Sequence, residues 1–155
     1  MARIPSHLQT GYATIPPSWL AAAHEKPKRL RIDTQLLLWA AGEPGKLPRA
    51  ARRLIEDNNN ELIFSAASLW ELAIKSQIGR DNFQLDPRIF RRSLLDNKYT
   101  ELPITGEHAI AVPDLPAIHK DPFDRMLVAK GRCEGLTLLT ADPLVARYPG
   151  PIQRV

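Results

Sequence analysis

The chain has 155 residues, 44% hydrophobic and 25% charged, which suits one globular domain with a real core and argues against disorder. Its formal net charge of +4 is compatible with a polyanionic partner without demanding one. One cysteine, Cys133, excludes an internal disulfide, and no stretch is long and apolar enough to span a bilayer or to serve as a secretory signal, so a cytoplasmic location is expected. Residues 1–29 hold four of the fourteen prolines and little periodicity. They read as an irregular arm, a linker, or extra residues from an upstream start, dispensable for any chemistry. From Leu30 the pattern changes. LRIDT begins a strand that ends at Asp33, and QLLLWAA continues as a helix closed by Gly42. Leu47 to Asp57 reads as a second helix with Pro48 near its start. ELIFSAAS gives a buried strand whose small polar end can cap SLWELAIKSQIG, a helix stopped by Gly79. DPRIFRRSLLDN is an amphipathic helix, YTELPIT a short strand, and GEHAIAV a short helix. HKDPFDRMLVAKG opens another helix, GLTLLTAD is a strand ending at Asp142, Pro143 begins a last helical turn, and PIQRV can add an edge strand.

Strands alternating with helices imply an α/β fold: three layers, α/β/α, around a central, mostly parallel sheet. In such sheets ligands bind outside the carboxyl ends of the strands. Asp33 and Asp142 each end a strand, and Glu71 and Asp124 lie on helices that follow. Helix capping explains Asp33, Asp142 and the Asp121–Pro122–Asp124 start one at a time. Glu71 on an otherwise apolar face is harder to explain, since glutamate is rarely buried without a partner. Four acids gathered on one rim repel, and hard Mg²⁺ or Mn²⁺ is the simplest compensator. The chemistry that follows is metal-assisted hydrolysis, in which a water is acidified and charge on a phosphate oxygen is neutralised. Grouped cations complete the picture: Arg49, Arg52 and Arg53; Arg88, Arg91 and Arg92; Lys120, Arg125, Lys130 and Arg132. Singly they read as solvated helix faces, and together as a rim that tracks phosphates.

Four stretches, RIDTQLLLWA, FSAASLWELAIKS, HKDPFDRMLVAKG and LTLLTAD, resemble the PIN-domain family, and specifically the VapC-type toxins of type II toxin–antitoxin pairs. The resemblance runs from about Leu30 to the C-terminus, with order and spacing kept, so it divides the chain into an arm of residues 1–29 and a PIN-like domain of 30–155. It implies a ribonuclease whose acidic quartet binds Mg²⁺ or Mn²⁺: Asp33, Glu71, Asp124 and Asp142. Asp121 takes a supporting or capping role, with Asp124 as the site residue. Thr34 and Thr140 flank two acids and are positioned to orient them. Arg125, Lys75 and Lys120 are the candidate RNA contacts. Many relatives carry His or Asn where Gln35 stands, which removes any contact specific to that side chain. His119 reads as a loop or capping histidine rather than a ligand or general base.

The resemblance also implies an RNA substrate, a cognate antitoxin protein, and a homodimer or toxin–antitoxin hetero-oligomer. Leu36, Leu37, Leu38, Trp39, Leu69 and Trp70 exceed what one helix face usually buries, and an exposed remainder would accept a partner helix. Haloacid-dehalogenase phosphatases need Asp-x-Asp after the first strand, where this chain has Asp33-Thr34-Gln35. Receiver domains need an acidic pair there and a lysine ending a late strand, where this chain has Thr140-Ala141-Asp142. A non-catalytic RNA-binding or protein-interaction module is the remaining rival, and it would need no intact quartet.

Overall fold

A computed structural model describes residues 27–79 and 85–155. The expected arm lies almost wholly outside the described residues. Five strands, β1 (Arg29–Ile32), β2 (Glu61–Ser65), β3 (Thr100–Leu102), β4 (Thr137–Thr140) and β5 (Ile152–Arg154), form one sheet in the order β3-β2-β1-β4-β5. Every neighbouring pair is parallel. Among the described residues six α-helices accompany them: α1 (Thr34–Gly42), α2 (Arg49–Glu56), α3 (Ala66–Ile78), α4 (Pro87–Asp96), α5 (Gly106–Ala111) and α6 (Pro122–Glu134). The expected last helical turn is a short 3-10 turn at Val145–Arg147, and PIQRV supplies the edge strand β5.

Local chemistry fixes where these helices begin and end. Asp33, Ser65, Asp86 and Asp121 each accept a backbone N–H of the helix that follows, filling donors that the first turn leaves open. Gly79 and Gly135 close α3 and α6 at φ 67°, a left-handed conformation that costs glycine nothing.

The period-2 alternation of the strands sorts side chains onto two faces. Leu30, Ile32, Leu62, Phe64 and Leu139 pack with Leu36, Leu37, Ala51, Ile55, Phe90 and Leu94 into one dry cluster. Leu138 and Tyr148 pack with Leu127, Val128 and Ala129 of α6 into a second. That second layer also holds charge. Arg31, in the central strand, is 2% exposed, and Lys130 of α6 is fully buried, which removes Lys130 from the expected phosphate-tracking rim. Lys130 Nζ donates to Ser65 Oγ at 2.6 Å and to the Leu102 carbonyl at 2.9 Å. Arg31 Nη1 donates to the Leu127 carbonyl at 2.5 Å, while its Nε and Nη2 have no hydrogen-bond partner among the described residues. Burial drives the Arg31 guanidinium down to about 10 and the Lys130 ammonium down to about 8, with Glu134 opposing both shifts. Gly131 makes the room: a Cβ there would collide with Arg31 Nη2 and lie 3.2 Å from the Leu136 carbonyl.

Candidate active site

From β1 the chain moves outward in one direction to β2 and β3, then returns to the other side of β1 with β4 and β5. The strand order therefore reverses between β1 and β4, the position where α/β sheets open a crevice at their carboxyl ends. Ile32 pairs with Leu139, and the Asp33 amide donates to the Leu139 carbonyl at 3.2 Å, so Asp33 and the Ala141–Asp142 turn leave the sheet side by side. A cleft of about 350 Å³ opens there. Asp33, Glu71, Asp121, Asp124 and Asp142 line it, with Thr34, Gln35, Lys75, Leu38, Trp39 and Ala141.

Each acid is held by its own element. Asp33 caps α1 through Oδ1, which accepts the Leu36 amide at 2.8 Å, and Thr140 hydrogen-bonds the same carboxylate. Asp142 does the same for the turn after β4, its Oδ1 accepting the Leu144 amide at 2.8 Å. Thr140 Oγ1 accepts the Asp142 amide at 3.0 Å, and Thr34 Oγ1 donates to Ser68 Oγ at 2.8 Å. Asp121 Oδ1 accepts the amides of Phe123 at 2.8 Å and Asp124 at 3.3 Å, which is a capping geometry. Asp124, freed from that task and one turn further on, lies over the cleft. Glu71 is 6% exposed; its Oε2 accepts from Lys75 Nζ at 2.6 Å, and its Oε1 is buried with no hydrogen-bond partner among the described residues.

Electrostatics register the crowding. Burial is the main cause that raises Asp33 above the usual carboxylate range, and Asp142 adds to it. Asp124 is pushed up to about 7, first by burial and then by Asp121, with Glu71 and Asp142 adding to it against the opposing pull of His119. Burial dominates both shifts, and neighbouring carboxylates add to it. A hard divalent cation fits this set: the donors are carboxylate oxygens, one of them orphaned, and the acids lie close enough to raise one another. Asp33, Glu71, Asp124 and Asp142 would hold it.

Two residues have partners that the sequence did not reveal. Arg125, expected to face RNA, donates from Nη1 to the Pro116 carbonyl and Tyr148 Oη and from Nη2 to the Val112 carbonyl, so its guanidinium fastens a loop. His119 does cap, accepting the Asp121 amide on Nδ1 at 3.0 Å, but it also faces the acids. Its Nε2 lies 3.1 Å from Asp142 Oδ2 and 3.2 Å from Asp124 Oδ2. The sequence carried only one sign of this, a histidine two residues before an N-cap. Of the two lysines, Lys75 lines the cleft and Lys120 is exposed beside His119.

Of the apolar surplus on α1 and α3, Leu36 and Leu37 are buried, Leu38 and Trp39 are half-buried against the cleft, and Trp70 is 57% exposed. The Trp70 ring meets Phe123 of α6 edge-on, with centroids 5.0 Å apart. Among the described residues no helix is long and apolar enough to cross a membrane.

Comparison with known proteins settles the family. The PIN domain pattern matches residues 31–151, more than half of the chain. The chain belongs to the PIN-domain family. Its fold is similar to that of VapBC2 from Rickettsia felis, solved with a DNA fragment from their promoter: TM-score 0.63, 14% identity, 82% of this chain and 98% of that one covered. DNA-bound VapBC from Salmonella typhimurium gives 0.57 at 16% identity, covering 82% and 98%, and a toxin–antitoxin complex from Klebsiella pneumoniae gives 0.54 at 16%, covering 80% and 95%. No relative is found among curated proteins.

Proposed function

We propose that this PIN domain is a metal-dependent endoribonuclease, the toxin of a type II toxin–antitoxin pair, acting in the cytoplasm on RNA phosphodiester bonds. The observation that carries the reading is the convergence of Asp33, Glu71, Asp124 and Asp142 on one cleft at the strand-order reversal. Burying acids together there is costly without a cation, in keeping with the upward shifts of Asp33 and Asp124, which burial dominates and neighbouring carboxylates increase, and a module that only bound RNA or protein would gain nothing from it. A bound Mg²⁺ or Mn²⁺ would supply the positive charge that acidifies the attacking water and stabilises the phosphate oxygens. The chain does the rest. Asp33 and Asp142, each tied to a backbone amide, keep their carboxylates fixed at the ends of adjacent strands. Glu71 lines the same cleft and keeps its Oε1 without a hydrogen-bond partner among the described residues. Lys75 leaves Glu71 for an incoming phosphate oxygen, and exposed Lys120 contacts the RNA backbone further out.

The same reading gives the chain a small antitoxin partner, in keeping with the assemblies of its structural neighbours. Half-buried Leu38 and Trp39 with exposed Trp70 offer that partner apolar surface beside the cleft. The primary test is cleavage of mixed cellular RNA with Mg²⁺, with Mn²⁺ and in excess chelator, followed by mapping of the cut ends. Cleavage should need the metal, and equal cutting in chelator would sink the mechanism. Expression alone should be toxic and relieved by the product of the adjacent upstream gene. A harmless protein would count against the toxin role while leaving the nuclease test open.

A further inference from the structure

The carboxylates of Asp124 and Asp142 approach a common point, and the side chain at that point is His119. We propose that His119 is a positioning residue of the cleft, whose Nε2–H spans the two carboxylates and fixes their orientation for a divalent cation without being a ligand itself. The proposal rests on the reading of the cleft as a cation-dependent nuclease site.

The assignment of roles follows from the hydrogen bonds. His119 Nδ1 accepts the Asp121 amide at 3.0 Å, so its lone pair is in use and the ring hydrogen sits on the other nitrogen. That Nε2–H donates to Asp142 Oδ2 at 3.1 Å and faces Asp124 Oδ2 at 3.2 Å. A protonated ring nitrogen has no lone pair for a cation. The three donor atoms lie within 4.8 Å of one another, a spacing that would also suit a mixed nitrogen–oxygen site, and only the Asp121 bond separates the two possibilities.

The ring arrives preorganised. The His119 amide donates to Tyr148 Oη at 2.8 Å, and Arg125 fastens the same loop through Tyr148 and the Pro116 carbonyl. Its partner Asp142 is tied at the other oxygen to the Leu144 amide, so the His119 contact removes its remaining rotation. A donor bonded to Asp142 and 3.2 Å from Asp124 lowers the repulsion between the two acids. Partners of this kind behind a ligating group are worth about 10–100-fold in metal affinity.

Isosteric variants separate the roles. In His119→Asn the amide oxygen can replace Nδ1 as acceptor for Asp121, but nothing replaces Nε2–H. In His119→Gln the amide nitrogen reaches the place of Nε2. Mn²⁺ binding would be titrated by electron paramagnetic resonance without RNA, on variants whose melting shows them folded. We expect His119→Asn to bind Mn²⁺ about tenfold or more weakly, and His119→Gln to recover most of that loss. The wild-type Mn²⁺ spectrum should show no directly bound imidazole nitrogen, and ¹⁵N NMR of the metal-free protein should find the His119 hydrogen on Nε2. Direct nitrogen coordination, a hydrogen on Nδ1, or wild-type affinity in His119→Asn would each overturn the proposal while sparing the nuclease reading. A wild-type protein that takes up no Mn²⁺ would overturn both.

Discussion

Helix α6 carries an acid to the cleft in its first turn and a cation into the core in its third, and like charge is crowded at both ends. Around Asp124 stand Asp121, Glu71 and Asp142. Around Lys130 stand Arg31 and, as counter-charge, Glu134. The difference lies in access to solvent. Lys130 has its ammonium on a hydroxyl and a carbonyl, Arg31 shares the layer with it, and both are sealed from solvent. The acids keep an open cleft, an orphaned Glu71 oxygen and carboxyls held above their ordinary range. Charge sealed inside the core can serve only structure, whereas charge that lines an open cleft is placed where a ligand can reach it.

The sharpest way to break the comparison is to neutralise one member on the acidic side. Asp124→Asn should lower RNA cleavage roughly 10³-fold or more, about 4 kcal/mol of transition-state stabilisation, while its metal-free melting temperature stays level or rises. Loss of stability together with retained cleavage would move Asp124 to the structural class.

The acidic side should also announce itself through pH. Folded Asp124 holds its proton up to about pH 7, while an unfolded aspartate releases it near about 3.9. Between those values the folded state binds more protons, so metal-free stability should fall as pH rises, by up to about 1.4 kcal/mol per unit, and level off above pH 7. Asp33, raised in the same direction, adds to the slope. Melting wild type and Asp124→Asn in metal-free buffer from pH 5 to 8 should show a shallower slope in the variant. Parallel curves would refute the shift.

How much of this comparison was legible in the sequence differs between its halves. The acidic half was written locally: Asp33 and Asp142 follow runs of strand residues, Asp121-Pro122 has the chemistry of a helix start, and Gly79 ends its helix where sequence rules put it. What those local rules could not decide was convergence, because capping and cleft-lining turn out to be the same act for Asp33 and Asp142. The cationic half was not legible. Lys130 and Arg31 look like surface charges until residues far away in the chain meet them, Ser65 and Leu102 for one, Leu127 for the other. The loop contacts of Arg125 were hidden for the same reason, since its acceptors include carbonyls of a loop that no periodicity announces.

On the cationic side the space at Gly131 is the exposed joint. Gly131→Ala drives a methyl into Arg31 Nη2 and against the Leu136 carbonyl, and overpacking of this kind should cost about 1–3 kcal/mol. Replacing the cation removes the collision, so Gly131→Ala in an Arg31→Met background should cost less than in wild type. Arg31→Met alone should be neutral or stabilising, since a buried, half-satisfied guanidinium repays little. Thermal melts of the three variants decide it. Equal costs of Gly131→Ala in both backgrounds would mean that Arg31 does not fill that space.

The smallest expected effect tests the boundary between the two kinds of charge, at Asp121. It lines the cleft, yet its Oδ1 is occupied by the amides of Phe123 and Asp124, and its own amide is held by His119. Those bonds place its main contribution in the helix start. Asp121→Ala should therefore lose about 0.5–2 kcal/mol of stability, and cleavage should be reduced rather than abolished. The two aspartates pull in opposite directions, because losing a cap removes a favourable bond while losing a crowded carboxylate removes repulsion. Asp121→Asn refines the test: its amide oxygen can still cap, but its charge is gone, and that charge is the largest neighbouring influence raising Asp124. Stability should stay near wild type in that variant, and the pH at which metal-free Asp124 takes up its proton should drop. A stable Asp121→Ala that cleaves nothing would instead put Asp121 among the residues that hold the metal.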